Sequence, residues 1–172
     1  MTGSFKRRLT PGKELSVLVV CSGNTCRSPM AEAILKAELR RAGVTGVRVS
    51  SAGLDADPSA RTALHAIEAL RGLGIRTGAR TATQLSRQAL DRADLVLAMT
   101  GRQKELIAET WPGSEAKTVV ISEFSGSHGG EIADPIGGPQ EAYTDCAARL
   151  VAEARLIAPR LGGLLELRRS TR

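Results

Sequence analysis

Aromatic side chains are almost missing from this sequence: one Trp, one Tyr and two Phe in 172 residues, or 2%. Proteins that hold single-stranded nucleic acid stack its bases on aromatic rings, and no such platform can be built here. The net charge of +6 and pI near 9.8 therefore need another explanation. Basic residues cluster at the two ends (Lys6, Arg7, Arg8; Arg168, Arg169, Arg172), where solvated tails account for them. Two histidines and three cysteines are too few for a metal centre or a disulfide framework, and reduced thiols fit a cytoplasmic setting. No apolar run approaches the roughly 20 residues of a membrane span. The opening MTGSFKRRLTPGKE is basic but has no apolar segment, so no secretory signal is expected. No Gly-Lys-[Ser/Thr] follows the glycines, which removes the phosphate lysine and the magnesium hydroxyl of a P-loop nucleotidase. We expect no metal, no cofactor, no nucleic-acid partner and no membrane.

What the chain does have is concentrated between Leu15 and Leu35, LSVLVVCSGNTCRSPMAEAIL. The β-branched run Val17–Val20 ends at Cys21, a loop follows, and Ser28-Pro29 opens an amphipathic pattern through Met30, Ala31, Ile34 and Leu35. This is a buried strand, a tight loop, and a helix with Pro in its first turn. Loop N–H groups and a helix N-terminus together suit an anion. Gly23 and Asn24 are residues that can take left-handed backbone angles. A cysteine attacks as its thiolate, which amide dipoles and the Arg27 guanidinium would stabilise. The same guanidinium fork can hold two phosphate oxygens, and the Ser28 hydroxyl can donate to the sulfur. Separately, Cys21 reads as a small buried hydrophobe and Arg27 as a surface cation; at this spacing on a strand end they read as a site.

This Cys-x5-Arg-Ser run resembles the phosphate loop of the low-molecular-weight protein phosphatases, over Cys21 to Ser28. Asp134-Pro135-Ile136-Gly137-Gly138 is similar to the family's general-acid loop. The resemblance implies catalytic Cys21, Arg27 and Asp134, with phosphate held by Ser22, Gly23, Asn24, Thr25, Cys26 and Ser28. It also implies phosphorylated proteins as substrates, inorganic phosphate as product, and a monomer or weak dimer. Asp134 must protonate the leaving group and then activate water; alone, it would read as an Asp-Pro turn. Asp91 and Asp94 read as caps or solvated charges.

Along the chain, residues 1–13 read as a flexible basic arm, 14–161 as the phosphatase domain and 162–172 as a basic tail. Strands are expected at Leu15–Val20, Val47–Ser51, Asp94–Met99 and Thr118–Ile121. Helices are expected over Pro29–Ala42, Ala60–Leu73, a short stretch ending near Arg92, Arg102–Thr110, and Gln140 to about Arg160. The Gly-rich Ser125–Pro139 reads as a long surface loop. Strands alternating with helices argue for an open parallel α/β sheet with its site beyond the strand carboxyl ends, and the family fold implies the order 2-1-3-4.

Within the family, substrates divide between phosphotyrosine and phosphoarginine. Tyrosine-directed members usually carry a bulky aliphatic residue just before the second loop cysteine; here Thr25 stands there and can hydrogen-bond a guanidinium or its attacking water. The loop sequence, Ala93–Thr100 and Gly126-Ser127-His128-Gly129 are similar to bacterial protein arginine phosphatases. Ile136 and the ring-free Leu54–Ser59 leave little from which to line an aromatic slot. We expect a phosphoarginine phosphatase acting through phosphocysteine, with tyrosine phosphatase as the alternative. Arsenate reduction lacks a clear cysteine relay, and a non-catalytic binding module would not need Asp134. Cys26 reads either as a redox partner for Cys21 or as packing, Tyr143 as helix packing or a site wall, His128 as an orienter of the acid loop or a plain loop residue, and Cys146 and His65 as structural. One departure stands out: many members carry a histidine that braces the loop through a serine near strand two, and Gly78-Ala79-Arg80-Thr81-Ala82 has none.

Overall fold

A computed structural model of the chain describes residues 14–127 and 129–170. The arm expected at residues 1–13, His128 and the last two residues lie outside the described residues. Four parallel strands form one sheet: β1 (Leu15–Cys21), β2 (Val47–Gly53), β3 (Leu95–Ala98) and β4 (Thr118–Val120), in the order β2-β1-β3-β4. The helices are α1 (Arg27–Arg41), α2 (Leu64–Gly72), α3 (Arg87–Arg92), α4 (Gly101–Thr110), α5 (Ile121–Ser125) and α6 (Gln140–Ser170).

Alternation along the central strands sorts their side chains onto two faces. Val17, Val19 and Cys21 of β1, with Leu95 and Leu97 of β3, pack beneath α1, α2 and α6. Leu18, Val20, Val96 and Ala98 pack against Leu90 of α3 and Ile107 of α4. Cys21 therefore lies on the α1/α6 face, at the carboxyl end of β1. The chain goes from β1 to β2 on one side and then to β3 on the other, so β1 and β3 flank the point where strand order reverses.

Three expected boundaries move for physical reasons. Helix α2 begins at Leu64 rather than Ala60, because 60–62 pairs with 80–82: Ala82 N–H donates to Ala60 O and Thr62 N–H to Arg80 O, both at 2.9 Å. The expected loop from Ser125 is preceded by the short helix α5, and inside it Ile132 is buried and donates its N–H to Met99 O at 3.1 Å. The segment read as a basic tail from residue 162 is helical to Ser170. Neither Pro159 nor Gly162-Gly163 stops α6, since Ala154, Ile157, Ala158, Leu161 and Leu165 continue one buried stripe. Gly162 is a contact glycine; a Cβ there would meet Val44 Cγ2 at 3.2 Å. Arg168 then donates to Asp94 at 2.5 Å, and Asp94 also accepts from Ser16 N–H at 2.8 Å.

Leu165→Ala tests this extension. It removes a side chain only 2% exposed and is expected to cost about 2–5 kcal/mol in chemical denaturation, whereas a solvated tail residue would change stability by about 0.5 kcal/mol or less.

Candidate active site

The loop after β1 is shaped from outside. Leu54 N–H donates to Cys21 O at 3.0 Å, Asp55 N–H to Ser22 O at 2.9 Å and Ala63 N–H to Thr25 O at 2.9 Å. In a trans peptide the C=O and the following N–H point opposite ways. Turning these carbonyls towards 54–63 therefore turns the Ser22, Gly23 and Cys26 N–H groups to the other side. Among the described residues, none of the five backbone N–H groups from Ser22 to Cys26 donates to a protein acceptor. Free N–H donors of this kind suit an anion. Asn24 takes the left-handed turn at φ 54°. Gly53 makes the close approach possible: a Cβ there would lie 2.6 Å from Ser22 O, 2.8 Å from Asn24 N and 2.9 Å from Gly23 C.

Cys21 Sγ lies 3.0 Å from Ser28 Oγ, and both side chains are buried. Asn24 Nδ2 donates to Ser28 Oγ at 2.8 Å and to Ser51 Oγ at 3.0 Å, while its Oδ1 accepts from Thr83 N–H at 2.9 Å. Ser51 donates to Glu32 at 2.7 Å, and Glu32 is gripped by Arg80 at 3.0 and 2.7 Å and by Lys36 at 2.6 Å. Burial pushes the Glu32 carboxyl up, but hydrogen bonds from Arg80, Lys36 and Ser51 and the charge of Arg80 outweigh it and hold it below the usual range.

Arg27 is buried at the first position of α1. Its Nη2 contacts the Asp134 carboxylate and donates to Ser22 Oγ at 3.5 Å, and its Nη1 donates to Ile132 O at 3.3 Å. Its Nε is buried without a protein acceptor, leaving a donor for a substrate oxygen. Asp134 is set by its own turn, accepting from Ile136 N–H at 3.2 Å, with Gly138 N–H donating to Pro135 O at 2.9 Å. At the start of this loop, Ser125 and Ser127 donate to the fully buried Glu153, which also pairs with Arg149 at 2.5 Å. Gly129 leaves room for that guanidinium, since a Cβ there would sit 1.9 Å from Arg149 Nη1.

The structure thus brings Cys21, Arg27, Ser28, Asn24 and Asp134 together. Thr25 is half-buried, with Oγ1 3.5 Å from Cys26 Sγ. The Cys26 thiol donates to Tyr143 OH at 3.6 Å; both Cys21 and Cys26 are free thiols. Tyr143 packs edge-on to His65, with centroids 5.2 Å apart, and burial, with the neighbouring Cys26, pushes its hydroxyl up to about 12. Burial likewise pushes Cys146 up to about 12, so it stays a thiol. Sequence reasoning missed Glu32, Arg80 and Gln103. Gln103 donates to Ser22 Oγ at 3.1 Å and accepts from Met99 N–H at 3.1 Å. Only the i,i+4 spacing of Ser28, Glu32 and Lys36 along α1 hinted at any of them.

The low molecular weight phosphotyrosine protein phosphatase family matches this chain over residues 16–164. The chain belongs to that family. Among its relatives, a protein-arginine-phosphatase of Geobacillus stearothermophilus is 42% identical over 127 residues, covering 74% of this chain and 82% of that one. A probable low molecular weight protein-tyrosine-phosphatase EpsP of Ralstonia nicotianae is 34% identical, covering 87% and 97%. The YwlE arginine phosphatase solved as a mutant with a phosphorylated active-site serine superposes with a TM-score of 0.81 at 35% identity, covering 86% and 95%. As a low-molecular-weight phosphatase, this chain has a four-stranded 2-1-3-4 sheet with its phosphate loop after β1, and is a cysteine-dependent protein phosphatase.

Two measurements check this site. Gly53→Ala pushes three loop backbone atoms and is expected to lower kcat/KM on an aryl phosphate about 10²-fold, with the far-UV spectrum unchanged. Glu32 ionises more readily folded than unfolded, so its contribution is full at neutral pH and is lost as pH falls below about 4.5. The stability gap between wild type and Glu32→Gln should therefore narrow through that range.

Proposed function

We propose that this chain hydrolyses phosphoarginine in proteins through a phosphocysteine at Cys21. The observation that carries the chemistry is the Cys21 sulfur beside the Ser28 hydroxyl, at the start of a loop whose carbonyls are engaged from outside and whose Arg27 is paired with Asp134. A phosphoryl dianion entering the loop takes up the free N–H groups and the Arg27 Nε, and competes with Asp134 for the guanidinium. The thiolate attacks phosphorus and the P–N bond breaks. Asp134, released from Arg27, takes a proton from solvent and gives it to the departing guanidine nitrogen as the P–N bond breaks. Water then attacks the thiophosphate with Asp134 as base, and phosphate leaves as the Ser28 hydroxyl steadies the returning thiolate. A thiol nucleophile with no disulfide suits a reducing cytoplasm.

Thr25 supports phosphoarginine over phosphotyrosine. It sets a hydroxyl in the loop, held only towards Cys26 Sγ, where an aliphatic group would favour a phenyl ring. The exposed Ile136 beside the acid offers no ring to stack on. The arginine phosphatase relative supports the same reading, and the family description supports the tyrosine alternative.

Hydrolysis of phosphoarginine and phosphotyrosine peptides by wild type and Thr25→Ile decides between them. Wild type is expected to favour phosphoarginine at least about tenfold in kcat/KM and Thr25→Ile to lose that preference. A wild-type preference for phosphotyrosine, untouched by Thr25→Ile, selects the tyrosine reading. In the same assay Cys21→Ser should fall to background, and Asp134→Ala should lose roughly 10²- to 10⁴-fold, most for the more basic leaving group.

A further inference from the structure

Six hydrogen bonds in five links join a half-exposed arginine to the nucleophile, and the charge at one end together with the Thr83 amide in the middle sets the direction of every donor between them. Glu32 is buried and ionised, so it can only accept. Ser51 must give it its hydrogen, which leaves Ser51 Oγ as an acceptor for Asn24. The amide of Asn24 cannot be flipped, because Thr83 N–H donates to its oxygen. Its second N–H therefore goes to Ser28, whose own hydrogen is left for Cys21 Sγ at 3.0 Å, the competing Ala52 carbonyl being farther at 3.4 Å. Reversing Ser51 would set two donors against each other and loosen the hold on the Asn24 amide that feeds Ser28.

Arg80 is what holds the origin of this relay. Its two nitrogens grip both Glu32 oxygens, at 3.0 and 2.7 Å, and fix the plane of the carboxylate. Lys36 reaches Oε1 alone, whereas the hydrogen from Ser51 arrives at Oε2. Among the described residues, Arg80 alone joins Ser51 at that oxygen. Its backbone is fixed by the pairing of 60–62 with 80–82, where Arg80 N–H donates to Thr62 Oγ1 at 3.3 Å and Thr62 N–H to Arg80 O at 2.9 Å. The other charged side chains lining this cleft, Lys36, Arg40 and Arg76, are all basic.

We propose that Arg80 is a positioning residue for Cys21, acting through Glu32, Ser51, Asn24 and Ser28 to aim the Ser28 hydroxyl at the sulfur. The hydrogen bonds from Glu32 raise the Arg80 guanidinium further above its usual range, so Arg80 stays charged wherever Glu32 is ionised and the relay keeps one polarity over that range. A titrating group in the same place would not have this property.

The inference rests on Cys21 being the nucleophile, and its test separates the two. On the full chain, iodoacetamide alkylation of Cys21 is followed by mass spectrometry against pH, beside aryl phosphate turnover and the melting temperature. Arg80→Ala is expected to move the alkylation midpoint up by about half to one pH unit and to lower kcat about 3- to 10-fold with KM unchanged. Glu32→Gln should shift the midpoint in the same direction, and Arg80→Lys, which keeps the charge but not the two-point grip, should recover only part of the loss. Arg80→His should follow the Lys variant below about pH 6.5 and the Ala variant above it, adding an inflection that wild type lacks. An Arg80→Ala protein with an unmoved midpoint and only a lowered melting temperature overturns the inference, as does an Arg80→His profile without the extra inflection. Wild-type Cys21 reacting no faster than an ordinary buried thiol overturns the nucleophile assignment itself.

Discussion

Everything at this site depends on which way a few peptide planes face. The carbonyls of Cys21, Ser22 and Thr25 are engaged by the segment that follows β2, so the N–H groups of the same planes are committed to the opposite side. Leaving several N–H groups without protein partners is costly in a folded protein. The loop tolerates it because Asn24 absorbs the turn at positive φ and Gly53 lets β2 press against it without a side chain. An anion repays that strain by meeting the donors, which is why the loop is better matched to a phosphoryl group than to its own interior.

The charged groups follow the same logic of being held from behind. Arg27 is tied to Ile132 O and Asp134, so the guanidinium and the Asp134 carboxylate are kept together. Helix α6 supports the acid loop at one end through Glu153 and Arg149 and reaches the phosphate loop through Tyr143 and Cys26. At its far end the same helix pins Asp94 through Arg168. One long helix thus fixes loops that are distant in sequence, and its unbroken stripe of small and aliphatic side chains explains why Pro159 and the paired glycines do not end it.

Much of the fold was legible because its signals are local. The β-branched run before Cys21, the alternation in β1 and β3, and the Ser-Pro start of α1 each reflect backbone preferences within a few residues. The strand order came from the resemblance to a family. The later boundaries were misread where a long-range contact overrode a local breaker: Gly162 against Val44, and the 60–62 pairing with 80–82. Arg80 shows the limit most clearly. In the sequence it marks only a missing histidine, whereas in space it reaches Glu32 from 48 residues away.

Residue identity and spacing alone determined that a thiol, a guanidinium and a hydroxyl share one strand–loop–helix turn, since Cys21, Arg27 and Ser28 lie too close along the chain to be separated. They also determined how few rings are at hand to line a pocket. Only the tertiary structure decided that Asp134 meets Arg27, which way the loop carbonyls face, and which distant cation grips the buried Glu32. Those are matters of direction, and direction is set by whatever packs behind the loop rather than by the residues within it.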